Sequence, residues 1–136
     1  MGESTAMKIL TIRTDKPEAE LCVYENHMKL AETKWQADRR LAETIHVEIK
    51  KILDLLSISY AEVQGIVVFK GPGSFTGLRI GMSVANALAY SLKVPIVAKP
   101  GDDWIKLGIK ALLAAEDDRI ALPNYAAPAK TTSPKK

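Results

Sequence analysis

The run Gly65-Ile66-Val67-Val68-Phe69 constrains this chain more than any other segment. Five consecutive apolar residues, rich in β-branching, read as a strand buried on both faces, and such strands are typically parallel. Lys70-Gly71-Pro72-Gly73-Ser74 breaks the run, and a helix capped by Ser74 or Thr76 then extends to about Leu92. A doubly buried strand followed by a tight bend and a helix requires layers on both sides of a sheet.

The segments before it supply the rest of the sheet. Met7-Lys8-Ile9-Leu10-Thr11-Ile12 has strand character, and Arg13 to Pro17 forms a turn. Leu21 to Tyr24 is a second strand. Glu25-Asn26-His27 is a hairpin turn, and Met28 to Trp35 is the returning strand. From Asp38 to Leu56 the period changes: Leu41, Ile45, Ile49, Ile52, Leu53 and Leu56 form one helical stripe, with Asp38 as N-cap. Ser59-Tyr60-Ala61-Glu62 carries the capping-box pattern with room for a single turn. After the central helix, Val94 to Val97 is a short strand. Asp102 caps a last helix whose Trp104, Ile105, Ile109, Leu112 and Leu113 point inward, and Arg119 to Pro123 is a closing edge strand. The order β-β-β-α-β-α-β-α predicts an α/β domain: a mixed sheet with helices packed on it.

Composition narrows the classes further. The chain has 136 residues, of which 47% are hydrophobic and 26% charged, the balance of one globular domain. The net charge is +3, but Lys130, Lys135 and Lys136 lie in an acid-free terminal stretch, and the body without it is neutral. The excess is therefore a basic tail and not a nucleic-acid-binding face. Cys22 is the single cysteine, which excludes an intrachain disulfide and a CxxC zinc site and fits a reducing, cytoplasmic setting. Residues 1–6 lack the basic and apolar blocks of a signal peptide. The most apolar stretch, Leu78 to Val97, is interrupted by Arg79, Asn86 and Lys93, so no membrane span is expected. The expected organisation is an extension over 1–6, a lobe over 7–100, a helix and edge segment over 101–125 and a tail over 126–136.

The bend after the central strand is a candidate anion site, with Gly71, Gly73, Ser74 and Arg79 as its contacts, because a strand, a glycine-rich turn and a helix start converge backbone N–H groups. It is neither a Walker A loop, since no Lys-Ser/Thr follows its last glycine, nor a GxGxxG fingerprint, since Thr76 stands at the third glycine position. A purely structural turn is the other reading. In the helix that follows, Gly77, Gly81, Ala85 and Ala89 recur every fourth residue, leaving one face almost without side chains. Two helical glycines cost roughly 1 kcal/mol each against alanine, so the face implies a backbone in close approach. Either a partner covers it or the helix Asp38 to Leu56 does so within the chain; both readings stand on spacing alone.

Gly71-Pro72-Gly73-Ser74-Phe75-Thr76-Gly77-Leu78-Arg79-Ile80-Gly81 resembles the signature loop of the bacterial TsaB (YeaZ) family. Met7 to Leu10, the Leu41 to Leu56 helix with His46 near its head, and Val94 to Val97 agree with it, covering Met7 to about Pro100. The resemblance implies a single ribonuclease-H-like lobe of the actin-like ATPase superfamily. It implies a non-catalytic subunit that binds and stabilises a TsaD-like enzyme during threonylcarbamoyladenosine (t6A) modification of tRNA. A TsaE-like ATPase is a further implied partner, tRNA is met only through the complex, and the chain alone forms a homodimer. The implied interface joins Leu41, Ile45 and Ile49 of the first helix with Gly77, Gly81, Ala85 and Ala89 of the second. On that reading Gly81→Leu or Ala85→Arg abolishes association while leaving a folded monomer.

Two departures from the family pattern bear on chemistry. Family members carry Asp-Thr-Ser after the first strand, where this chain has Arg13-Thr14-Asp15, a cation where a carboxylate would hold magnesium. Only one helix and a tail follow the strand near Ile96, yet Leu122-Pro123-Asn124-Tyr125 resembles the family's C-terminal end, which reads as an internal deletion of a second lobe. No catalytic residue, cofactor or metal is expected: His27 and His46 are isolated, no base stands beside Ser74 or Thr76, and Asp102-Asp103 fits a helix start. The competing readings are a small nucleotide-binding phosphotransferase or hydrolase using the glycine-rich loop, and a self-contained homodimeric scaffold.

Overall fold

The computed structural model describes residues 6–123. The tail over 126–136, Asn124 and Tyr125 of the C-terminal motif, and all of the N-terminal extension except Ala6 lie outside the described residues. Five strands, β1 (Lys8–Arg13), β2 (Glu18–Glu25), β3 (Met28–Gln36), β4 (Gly65–Phe69) and β5 (Ile96–Lys99), form one sheet in the order β3-β2-β1-β4-β5. β1, β2 and β3 pair antiparallel, whereas β4 runs parallel to both β1 and β5. This is the mixed ribonuclease-H-like α/β arrangement expected from the sequence. All five residues of β4 are buried, because helices cover both faces of the sheet there.

Strand alternation divides the core in two. Leu10, Ile12, Ile66, Val68, Ile96 and Ala98 face α1 (Leu41–Leu55) and α2 (Phe75–Leu92). Ile9, Val67, Phe69 and Val97 face α3 (Trp104–Leu113) on the other side. α3 lies very close to β4: a Cβ on Gly108 would overlap the Val67 side chain. The indole Nε1–H of Trp35 donates to Thr44 Oγ1 at 2.8 Å and ties β3 to α1.

Several boundaries differ from the sequence reading. Asp38 does not cap α1: it has φ 47° and opens a 3-10 turn over Asp38–Arg40, so the α-helix begins at Leu41 without a side-chain cap. The cause is local, since the amides of Ala37 and Asp38 both donate to Pro17 O, at 2.9 and 3.2 Å, and hold the chain in a tight corner before the helix. α3 likewise starts after Asp103 and not Asp102, again without a side-chain cap, and Leu113 is exposed. Ser74, not Thr76, caps α2, accepting from Gly77 N at 3.3 Å. The capping box at Ser59 and Glu62 is present around one 3-10 turn.

No strand forms over Arg119 to Pro123. Instead the aspartates before it close the outer edge of β5 with their side chains. Ile96 N donates to Asp117 Oδ1 at 3.1 Å, Ala98 N donates to Asp118 Oδ2 at 2.9 Å, and Asp118 N donates to Ile96 O at 2.8 Å. Asn86 on α2 then exchanges two hydrogen bonds with Ala121, at 2.7 and 3.0 Å. Two carboxylates thus supply what a sixth strand would have supplied, and a sheet edge left bare would invite pairing with another chain.

Candidate functional site

The small-residue stripe of α2 is a surface of intimate contact, but the contact is internal. A Cβ on Gly77 would overlap the carbonyl oxygen of Thr14, and one on Gly81 would overlap the Thr14 hydroxyl. Ala85 and Ala89 are buried, in the same apolar cluster as the inner face of the sheet. Leu41, Ile45 and Ile49 are buried in that cluster too. Of the seven residues assigned to a partner interface, six are therefore buried by the chain itself, and Gly77 is half-buried against Thr14. The covering element is chiefly the end of β1 and the sheet, where the sequence reading offered a partner or the first helix. The physical reason is that the stripe faces a twisted sheet whose central strand emerges beneath the start of α2, and only glycine leaves room for that backbone.

The bend carries its own surprise. Arg13 donates from Nε to Asp15 Oδ1 at 2.8 Å and from Nη2 to Asp15 Oδ2 at 3.2 Å, while its guanidinium lies 4.0 Å from the Phe69 ring centroid. The hydrogen bond to Asp15 raises the Arg13 pKa above its already high ordinary value and outweighs the opposing effect of burial. Gly71 has φ 103°, a conformation that side chains rarely adopt, and a cis Gly71–Pro72 bond follows. Gly73 packs on Asp15, where a Cβ would come within 2.5 Å of the Asp15 Cβ.

The four candidate anion contacts do not converge. Gly71, Gly73 and Ser74 share the bend, but Ser74 N already donates to Asp15 O at 3.3 Å and the Ser74 hydroxyl caps α2. Arg79 sits elsewhere, in the groove between α1 and α2. A phosphate brought to Gly73 would meet the Asp15 carboxylate at close range, and that carboxylate is held by Arg13 and not open to a metal. These residues do not fit a nucleotide phosphate with its metal. Among the described residues no cluster of His, Cys, Asp and Glu is spaced to hold an ion, and no helix is long and apolar enough to cross a membrane.

What the helix pair does expose is its outer side. Between α1 and α2 runs an open groove of about 360 Å³, lined by Ala42 and His46 from α1 and by Thr76, Arg79, Ile80, Ser83 and Val84 from α2. Its apolar part comes from half-buried Ile80 and Val84, and the rest from His46 and Arg79 together with the small side chains of Ala42, Thr76 and Ser83. Exposed Val47, 55% accessible, and Tyr90, 87% accessible, stand on the same two helices. The sequence reading named His46 and Arg79 without connecting them. The signal available for the rest was the recurrence of Thr76, Arg79, Ile80 and Ser83 at three- and four-residue steps on α2, beside the stripe of Gly77 and Gly81.

Fold and site together define a class: a ribonuclease-H-like α/β domain that presents a helix pair. A family model described as TsaD: tRNA N6-adenosine threonylcarbamoyltransferase matches residues 35–98, the stretch that contains both helices. The chain is 36% identical over 81 residues to the tRNA N6-adenosine threonylcarbamoyltransferase of Geotalea daltonii, covering 60% of this chain and 23% of that protein. It is 44% identical over 50 residues to the tRNA threonylcarbamoyladenosine biosynthesis protein TsaB of Bacillus subtilis, covering 37% and 22%. YeaZ from Pseudomonas aeruginosa shares the fold with a TM-score of 0.64 at 24% identity, over 69% of this chain and 44% of that one. Over this stretch the chain is similar both to the threonylcarbamoyltransferases and to the TsaB proteins. The matched segments span about a quarter of the length of these curated relatives.

Proposed function

We propose that this protein acts in formation of threonylcarbamoyladenosine on tRNA as a non-catalytic subunit that binds and stabilises a TsaD-like enzyme through the outer side of α1 and α2. The observation that carries the reading is the groove between those helices. It is open and lined by apolar Ile80 and Val84, by small Ala42, Thr76 and Ser83, and by polar His46 and Arg79, so a helix of another subunit can lie in it. The relatives' names, TsaB and threonylcarbamoyltransferase, supply the pathway. The Arg13–Asp15 pair supports a binding role over turnover, because the glycine-rich bend packs on an internal ion pair where an anion would have to sit. Without its partner, the same face joins two copies of the chain.

Size-exclusion chromatography of the chain mixed with a TsaD-type subunit tests this. One co-eluting complex is expected, and Ser83→Arg together with Val84→Glu abolishes it while leaving a folded protein. Separate elution of the two wild-type proteins at tens of micromolar refutes the reading.

A further inference from the structure

The end of β1 enters α2 in a way that bulk packing does not require. Thr14 is buried, with 2% of its surface accessible, and its hydroxyl donates to the carbonyl of Gly77 at 2.8 Å. That carbonyl lies inside the first turns of α2, where the regular helix pattern already offers it a backbone donor. Gly77 and Gly81 both lack the Cβ that would strike Thr14, and Gly73 lacks the one that would strike Asp15. Ser74 N donates to Asp15 O, so the helix cap is tied to the same tripeptide. Arg13 completes the set by gripping Asp15 and lying over Phe69, whose ring meets Trp104 edge-on at 5.6 Å.

We infer that Arg13-Thr14-Asp15 is the positioning element of the docking helix, and that the Thr14 hydroxyl sets the height and rotation of α2 on the sheet. The inference rests on the docking reading above. Apolar contacts between a helix and a sheet are non-directional and tolerate small slides and rolls, whereas a hydrogen bond to one named carbonyl does not. Thr76, Arg79 and Ser83, which line the groove, project from the same turns that Thr14 holds. A binding face has to be held to about half an ångström, so a shift at Gly77 is transmitted directly to it. Thr14 touches no partner; it acts through Gly77.

Thr14→Val removes the donor at nearly constant shape, and Thr14→Ser keeps the donor. Three quantities are measured on each folded variant: affinity for a TsaD-type subunit, amide hydrogen exchange along the chain, and melting temperature. Thr14→Val is expected to weaken binding about 5- to 10-fold, as the loss of one net hydrogen bond would. Protection should fall selectively over residues 77–84 and not in α1 or α3, and Thr14→Ser should bind within about twofold of wild type. If Thr14→Val does not fold, Thr14→Ala, which adds no bulk, takes its place. A lower melting temperature with unchanged affinity and evenly reduced protection overturns the inference. If the wild-type chain itself does not bind, the docking reading fails, and the exchange pattern alone then decides the inference: loss confined to 77–84 upholds it, and uniform or absent loss ends it.

Discussion

Gly81→Ala adds one methyl group at the tightest point of the fold, and the structure turns it into a measurement of the internal seam. The new Cβ would overlap the Thr14 hydroxyl and stand 3.1 Å from both the Thr14 Cβ and Cγ2. Thr14 must rotate or α2 must lift. Rotation breaks the bond to Gly77 O and leaves a buried hydroxyl without a partner, at a cost of about 1–3 kcal/mol. Overpacking adds about 1–3 kcal/mol. Alanine in a helix returns about 1 kcal/mol relative to glycine. The net loss is about 3 kcal/mol, which for a domain of this size lowers the melting temperature by about 12 °C. Urea unfolding of Gly81→Ala, Thr14→Ala and the double variant closes a cycle. With the Thr14 hydroxyl gone, the Gly81 methyl should cost less than about 1 kcal/mol, giving a coupling of about 2 kcal/mol. A Gly81→Ala protein as stable as wild type that nonetheless fails to bind its partner would place the glycine face at the surface and refute the packing described here. Ala85→Arg, a surface change on the sequence reading, becomes a buried charge and should prevent folding.

Gly108→Ala presses a methyl into Val67, so thermal unfolding should show a loss of about 1–2 kcal/mol that Val67→Ala largely reverses. Replacing both Asp117 and Asp118 by alanine frees the amides of Ile96 and Ala98, and sedimentation velocity should detect association beyond that of wild type together with about 1–2 kcal/mol of lost stability. Burial raises the Cys22 thiol above its ordinary value of 9.0. The folded state therefore binds the thiol proton more tightly than the unfolded state does, so this contribution is complete below pH 9 and is lost as pH rises toward the folded-state value. Denaturant titrations across pH 8 to 11 should show that decline, and Cys22→Ala should reduce it, leaving the part that Tyr24, also raised by burial, contributes at the alkaline end.

Much of the architecture was legible in the one-dimensional pattern. The five-residue run at Gly65 reported its own burial, because a strand covered on both faces admits no polar position. Asn26 marked the hairpin, and the stripe from Leu41 to Leu53 marked α1. Helix starts were harder. Asp38 has the chemistry of a cap, but hydrogen bonds from the amides of Ala37 and Asp38 to the carbonyl of Pro17, far upstream of the helix, bent the chain first. The closing edge was misread for a similar reason: an aspartate pair can satisfy strand amides as well as a strand does, and sequence periodicity carries no trace of it.

From its sequence alone this protein is committed to a mixed sheet, to three helices in a set order, and to one helix face so bare that another backbone must lie against it. Spacing expresses that demand for proximity, since glycine in a helix is tolerated only where something comes near. It cannot name the neighbour, because Thr14 lies 63 residues from Gly77 and meets it only once β1 and β4 pair in parallel. Tertiary structure decided that the neighbour is Thr14 of the chain itself, and it leaves Thr76, Arg79 and Ser83 exposed on another flank of the same helix.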